Sequence, residues 1–279
     1  MGGASRARAL ESIFKGPLSP VTIQGGAELW KITDNLCQLI DDYEPVWSQT
    51  SHIHPNIAYV VGGIPDITDK RKYVNWRGRY EEVVLDFNRT HAYDYLNSEY
   101  RNCEYRIKQK GFIPAFATVA TMDLAAWNNH RNTNHKNSRK PRATDYLLFQ
   151  SEYPRMQIEL NQIVMDTNSM IRQINYENGV ETLDLARYVM TPREGCIPGE
   201  IKYKIRTGEL KFVDGCHPTP ALAAQWNFHM SAVKTINRLQ LSSPLSVKIV
   251  HDHSKNLCDY AGVPLHLSNF KYHLSDFRQ

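Results

Sequence analysis

Long apolar runs are missing from this chain: no stretch of its 279 residues could cross a bilayer as a helix. The first fifteen residues also lack the apolar centre of a secretory leader, so neither a membrane anchor nor export is expected. Met1-Gly2-Gly3-Ala4-Ser5-Arg6 misses an N-myristoylation signal, because Arg6 stands where Ser or Thr is needed. Cysteine is sparse. Five residues, Cys37, Cys103, Cys196, Cys216 and Cys258, are scattered without paired spacing, which argues against a disulfide framework and against a zinc-type motif. They read as reduced thiols of an intracellular protein, cytoplasmic or nuclear. A strong excess of one charge is absent too. The formal net charge is only +4, which permits contact with nucleic acid without arguing for it.

What is present is a globular composition, with 42% hydrophobic and 22% charged residues, enough apolar material for a sizeable core. The length suits one α/β domain with an insertion and a tail. Gly3 to Leu10 opens what reads as a short helix that Ser5 can cap. Val21 to Gln24 reads as a brief strand ended by Gly25-Gly26, and Ala27 to Ile40 places Leu29, Ile32, Leu36 and Ile40 on one helical face. Pro55 to Val61 is nearly all apolar, as in a strand buried on both faces, and runs into Gly62-Gly63.

Further on, residues 80 to 109 read as mostly helical, and Gly111 to Val119 as an inner strand that Pro114 makes unusual. Residues 128 to 142 form a basic segment with His130, Arg131, His135, Lys136, Arg139, Lys140 and Arg142, expected as a mobile surface insertion. It has no interleaved aromatics for base stacking, so a nucleic-acid partner through 130–142 is only an alternative. Ile158 to Ile174 reads as a long helix, Val180 to Leu185 as a strand, and Ile201 to Ile205 with Leu210 to Val213 as a hairpin. A helix follows from Ala221 to about Leu239, with Trp226, like Trp127 earlier, read as a packing residue. Residues 241–279 are expected to pack as a tail on a domain spanning 1–240. Helices alternating with short apolar strands indicate a three-layer parallel sheet flanked by helices, with its site at the strands' carboxyl ends.

The chemistry concentrates in Val213-Asp214-Gly215-Cys216-His217-Pro218. A carboxylate and an imidazole stand three residues apart in a turn that glycine permits and proline ends. A carboxylate that fixes the tautomer of a histidine makes it a general base for a hydroxyl or thiol. Cys216 is a rival nucleophile, but neighbouring positions in a tight turn seldom align sulfur and ring nitrogen. His251-Asp252-His253 could offer ligands, but adjacent residues on a strand point to opposite faces and no third ligand is identifiable, so no metal is expected.

Four stretches in order resemble the SGNH, or GDSL-like, hydrolase superfamily over roughly residues 3 to 239. Gly3-Ala4-Ser5 resembles the Gly-Asp-Ser block, which implies Ser5 as nucleophile; Ala4 replaces the aspartate. Gly26 resembles the glycine whose N–H joins that of Ser5 in an oxyanion hole. Gly63-Ile64-Pro65-Asp66 resembles the Gly-x-Asn-Asp block, but Pro65 replaces the asparagine donor, for which Asn56 and Asn75 are conjectural substitutes. Asp214 and His217 match the last block. The resemblance implies a divergent member of that fold. It further implies a serine esterase or acyl hydrolase working through an acyl-enzyme on a small ester or acylated substrate, with no cofactor; a weak or inactive scaffold serving as a binding or assembly module is the alternative. Only four residues precede Ser5, short for the central first strand the family places before its nucleophile. Either the chain is a piece of something longer, or another segment, such as Leu245 to Val250, takes that place.

Overall fold

A computed structural model describes residues 1–14, 19–50, 55–75, 78–85, 89–134, 153–192, 203–205 and 212–242. Its centre is a parallel sheet of four strands, β1 (Gly2–Gly3), β2 (Thr22–Ile23), β3 (Ile57–Val61) and β6 (Ile113–Phe116), in the order β2-β1-β3-β6. A parallel bridge from Ala117 to Leu183 extends it by one position. The fold is therefore α/β. Two antiparallel hairpins stand outside this sheet: β4 (Thr68–Asn75) with β5 (Gly78–Leu85), and β7 (Met190–Pro192) with β8 (Tyr203–Ile205).

Helices cover both faces. On one lie α1 (Leu29–Asp42), α3 (Arg89–Gln109) and α5 (Tyr153–Glu177), with α1 packed on α3 and α3 on α5. On the other, a 3-10 helix (Ser5–Phe14) packs against α6 (Pro220–Ser242). The short α2 (Glu44–Thr50) and α4 (Leu124–Asn134) are further helices among the described residues. The buried faces follow the apolar periodicity: Leu29, Ile32, Leu36 and Ile40 of α1, and Leu160, Ile163, Ile171 and Ile174 of α5, are all in the core. From β1 the chain moves outward to β2, while from β3 it moves the other way to β6. The carboxyl ends of β1 and β3 thus flank the point where the winding reverses, where open α/β sheets leave a crevice.

The central place in the sheet belongs to two glycines. Met1 O accepts from Thr22 N at 2.9 Å, Gly3 O from Gln24 N at 3.0 Å, and Ala4 N donates to Val61 O at 2.9 Å, so β1 is bonded on both sides. A methyl added to Gly2 would lie 3.1 Å from Leu36 Cβ in α1, and one added to Gly3 only 2.4 Å from Ala7 Cβ in the 3-10 helix. The two positions face opposite layers, as the strand period requires; the 3-10 helix comes closer to Gly3 than a Cβ would allow, and α1 leaves only a tight space at Gly2. This corrects the expectation that a first strand is lacking before Ser5: Gly2–Gly3 is that strand. Leu245 to Val250, proposed for its place, lies outside the described residues, as do His251 to His253.

Several expected elements are revised. Residues 80 to 85 are the second arm of the β4/β5 hairpin rather than helix, and α3 begins at Arg89. Tyr80, Val83 and Val84 are β-formers, and pairing with β4 over eight residues overrides the mixed charges that read as helical. The basic segment begins as helix α4 through Asn134, with Asn128 buried; the rest, 135 to 142, lies outside the described residues. Val180 to Leu185 makes a single bridge rather than a strand; Tyr203–Ile205 pairs with Met190–Pro192 and Phe212 bridges to Pro218, while residues 206 to 211 of the expected hairpin lie outside the described residues. The last helix, expected from Ala221 to about Leu239, runs from Pro220 to Ser242.

Pro114 does occupy an inner-looking strand, and the bonding pattern explains how. On β6, Ile113 N and Ala117 N donate toward β3, to Asn56 O and Val60 O. Phe116 N and Thr118 N turn the other way, to Asn175 Oδ1 and Leu183 O. By alternation Pro114 belongs to the second set, beyond the end of the Leu183 contact, so its missing N–H breaks no bond in the ladder.

Asp66, after β3, is tied to the start of α1: its Oδ1 accepts from Leu29 N at 2.8 Å, while Oδ2 is buried without a hydrogen-bond partner. Desolvation pushes its carboxyl up to about 7, against the Leu29 bond and with the help of nearby Glu28 and Glu99.

Two outcomes follow. Gly3→Ala should destabilise the protein by about 1–3 kcal/mol through overpacking against Ala7, read as a lower urea midpoint. For Asp66, the folded pKa lies above the 3.8 of the unfolded carboxyl, so the stability it contributes is complete at acid pH and is lost as pH rises through about 7. Asp66→Asn keeps the acceptor for Leu29 N but cannot ionise. The stability of the parent relative to this variant should fall between pH 4 and pH 8, and an unchanging difference in thermal midpoint would contradict the assignment.

Candidate active site

Ser5 is the first residue of the 3-10 helix and is separated from β1 by Ala4 alone, so it emerges at the carboxyl end of the central strand. The first bond of that helix runs from Ala7 N to Ala4 O at 2.9 Å, which leaves the N–H groups of Ser5 and Arg6 ahead of the helical ladder. Asp214 and His217 lie in the turn enclosed by the Phe212–Pro218 bridge, just ahead of α6. Val213 N donates to His217 O at 2.8 Å and closes the turn.

Within this turn one carboxylate organises everything. Asp214 Oδ1 accepts from the backbone N–H of Cys216 at 2.9 Å and of His217 at 2.7 Å, and Oδ2 lies 2.6 Å from His217 Nδ1. Partial burial would raise the Asp214 carboxyl, but the bonds from the His217 ring and from the two backbone N–H groups outweigh it, and its pKa lies below the ordinary value. A carboxylate held ionised in this way keeps the proton of a neutral His217 on Nδ1 and leaves Nε2 as a bare acceptor. Nε2 stands 3.1 Å from Ser5 Oγ, a contact between residues 212 apart in the chain. The sequence-predicted Ser5, Asp214 and His217 are thus brought together.

Gly215 makes the turn fit. It takes φ 83°, and a methyl on it would meet Trp127 N at 2.6 Å and Asp123 O at 2.7 Å, so the turn lies directly on the start of α4. Asp123 N donates to Gly215 O at 2.8 Å, and the Trp127 ring packs 5.6 Å from the His217 ring. Cys216, the rival nucleophile, is directed elsewhere: its Sγ takes a bond from Arg6 Nη2 at 3.3 Å, while both nitrogens of His217 face Asp214 and Ser5.

The positions matched to an oxyanion hole divide. Gly25 lies beside Ser5, where a methyl would stand 3.9 Å from Ser5 Cβ, and Gly26 follows it in the same turn with φ 66°. Gly63, at φ 114°, sits over Tyr100, whose hydroxyl donates to Gly62 O at 3.2 Å. Pro65 is half-buried in the turn closed by Ile67 N to Ile64 O and offers no donor, and Asp66 serves α1 instead. Of the conjectured substitutes, Asn56 precedes β3 at the end away from the Gly62-Gly63 turn, and Asn75 pairs with Gly78 at the tip of the β4/β5 hairpin. A five-residue strand spans about 16 Å, out of reach of one side chain, so Asn56 is not the missing donor.

Reading by motif overlooked Arg6, Asp123 and Gly25, and took Trp127 for packing alone. Arg6 and Gly25 adjoin residues already singled out, which is the one signal they carry. Trp127 and Asp123 reach the site only through the path of the chain after β6. Among the described residues no group of acidic, histidine or cysteine side chains is arranged to hold a metal, and no helix is long and apolar enough to cross a membrane.

No protein-family model matches the chain, and no curated protein matches it significantly. Solved structures similar to it include a GDSL-like lipase from Bacteroides thetaiotaomicron, at 12% identity over 84% of this chain and 83% of that one, with a TM-score of 0.44. A putative acylhydrolase from Bacteroides fragilis matches at 12% identity over 86% of each chain, with a TM-score of 0.46. An acetyl xylan esterase matches at 12% identity over 82% of this chain and 96% of that one, with a TM-score of 0.37.

Proposed function

We propose that this protein is a serine hydrolase of the SGNH type that cleaves a small carboxylic ester or acylated substrate. The observation that carries the reading is the chain of contacts Ser5 Oγ to His217 Nε2 to His217 Nδ1 to Asp214 Oδ2, at 3.1 and 2.6 Å, beside a sheet's winding reversal. As a substrate carbonyl approaches, His217 Nε2 takes the hydroxyl proton while Ser5 Oγ bonds to the carbonyl carbon. Asp214 stabilises the imidazolium that results. Collapse of the tetrahedral intermediate expels the alcohol, which leaves with the proton from Nε2. Water, deprotonated by the same nitrogen, then releases the acid and restores Ser5.

The oxygen that becomes negative needs donors. The Ser5 N–H and the N–H groups of the Gly25-Gly26 turn supply them in this reading, and Pro65 withholds the third. One such donor is worth roughly a hundred- to a thousand-fold in rate, so a slow esterase is expected. Pro65 is also what favours the second reading, a catalytically idle scaffold that binds or assembles with a partner. Nucleic acid through 130–142 is one such partner, which salt-dependent binding would reveal.

A fluorophosphonate probe separates the two. The purified protein should label at Ser5 and hydrolyse p-nitrophenyl acetate, and Ser5→Ala should do neither; labelling undiminished in that variant sinks the assignment. Asp214→Asn should lower kcat on the order of 10⁴-fold by presenting the wrong tautomer. Pro65→Asn should raise kcat, by up to about 10²-fold if the new amide reaches the oxyanion; absence of turnover in both parent and Pro65→Asn favours the scaffold.

A further inference from the structure

Arg6 directly follows Ser5, yet its side chain runs inward: the residue is only 9% exposed. Its Nη1 donates to the carbonyl of Ala120, in the segment after β6, and its Nη2 donates to Cys216 Sγ at 3.3 Å. The guanidinium carbon lies 5.4 Å from the centre of the Phe212 ring, and Nε is buried without a hydrogen-bond partner. Its described partners are thus a carbonyl, a thiol and a ring, with no carboxylate among them. Burial of a cation without a paired anion costs several kcal/mol, so this arrangement contributes little to stability.

Its partners share something else. Phe212 and Cys216 lie on either side of Asp214, within the turn that carries His217. Ala120 leads into Asp123, whose N–H holds Gly215 O, and into Trp127, which packs on the His217 ring. One rigid planar fork, carried by the residue after the nucleophile, therefore touches both the turn of the base and the segment on which that turn rests.

We propose that Arg6 is a positioning residue, whose guanidinium fixes the Asp214–His217 turn relative to Ser5 by gripping Cys216 Sγ and the Ala120 carbonyl. The inference rests on the hydrolase reading for its consequence in rate, while the geometry it describes does not. Guanidinium is suited to the task because its donors are held in one plane at fixed angles; the ammonium of lysine is a single point on a flexible stem. Loss of the grip leaves the Ser5 Oγ to Nε2 contact free to lengthen, and a misplacement of about 1 Å in a reacting pair can cost on the order of 10²-fold in rate. Arg6 is buried and spends its donors on Ala120 and Cys216 rather than on a substrate, so the loss falls on kcat.

The test uses Arg6→Met, Arg6→Lys, Cys216→Ala and the double variant Arg6→Met/Cys216→Ala, with Ile107→Ala in α3 as a control for a general loss of stability. Arg6→Met should lower kcat on the order of 10²-fold with KM within about twofold of the parent, and Arg6→Lys should recover part of the loss. The double variant should be no slower than Arg6→Met alone, because both changes remove one contact. Ile107→Ala should leave kcat near the parent value. Unchanged kcat in Arg6→Met, or an equal fall in Ile107→Ala, overturns the proposal while the hydrolase reading stands. Ring nitrogen NMR shifts of His217 give a readout independent of turnover. Arg6→Met and Cys216→Ala should both move them and Ile107→Ala should not. If the parent neither labels nor turns over ester, the hydrolase reading fails and these shifts alone decide the role of Arg6, with unmoved signals overturning it.

Discussion

A methyl group on Gly3 would stand 2.4 Å from the Cβ of Ala7, and one on Gly2 3.1 Å from the Cβ of Leu36. Those two approaches set how near the 3-10 helix and α1 come to the middle of the sheet, and the site is built on that nearness. Because the first strand has no side chains, the chain can turn into a helix immediately after it, and Ser5 comes out at the strand's carboxyl end. The same tight packing brings the 3-10 helix against α6, the element that follows the His217 turn. A wider spacing would carry Ser5 Oγ away from Nε2, whatever the turn did.

The other half of the site is fixed by a different kind of contact. Asp214 receives three hydrogen bonds from its own turn, two backbone and one imidazole, and so both shapes the loop and sets the state of the base. Gly215 then lets the loop lie flat on the beginning of α4, where Asp123 N holds it. Local bonds make the turn, tertiary bonds place it. Arg6, reaching from beside Ser5 to Cys216, joins the two halves directly.

The glycines and the proline carry opposite lessons about what motif reading can reach. Gly63-Ile64-Pro65-Asp66 was readable as a block, and its most consequential residue, Pro65, is evident as a lost donor from its letter alone. The role of Asp66 is not evident, since its attachment to Leu29 N depends on α1 beginning beside the turn after β3. Gly2–Gly3 defeats pattern rules outright, because glycine has poor strand propensity and only the crowding of two layers explains why it is wanted there. The β4/β5 hairpin was missed for a related reason: its charges alternate in a way that suits a helix face as well as a paired strand, and only the pairing partner distinguishes them.

Composition and periodicity by themselves determined the α/β class, the apolar faces of α1 and α5, and the buried strand at Ile57–Val61, since each follows from local apolar spacing. Short motifs also named Ser5, Asp214 and His217 as residues whose chemistry belongs together. What only the tertiary structure decided is the distance between them, 3.1 Å across 212 residues, together with the identity of the first strand and the partners of Arg6. Those depend on how closely layers pack and where loops land on neighbouring helices, and such quantities arise from the sum of many contacts rather than from any window of sequence.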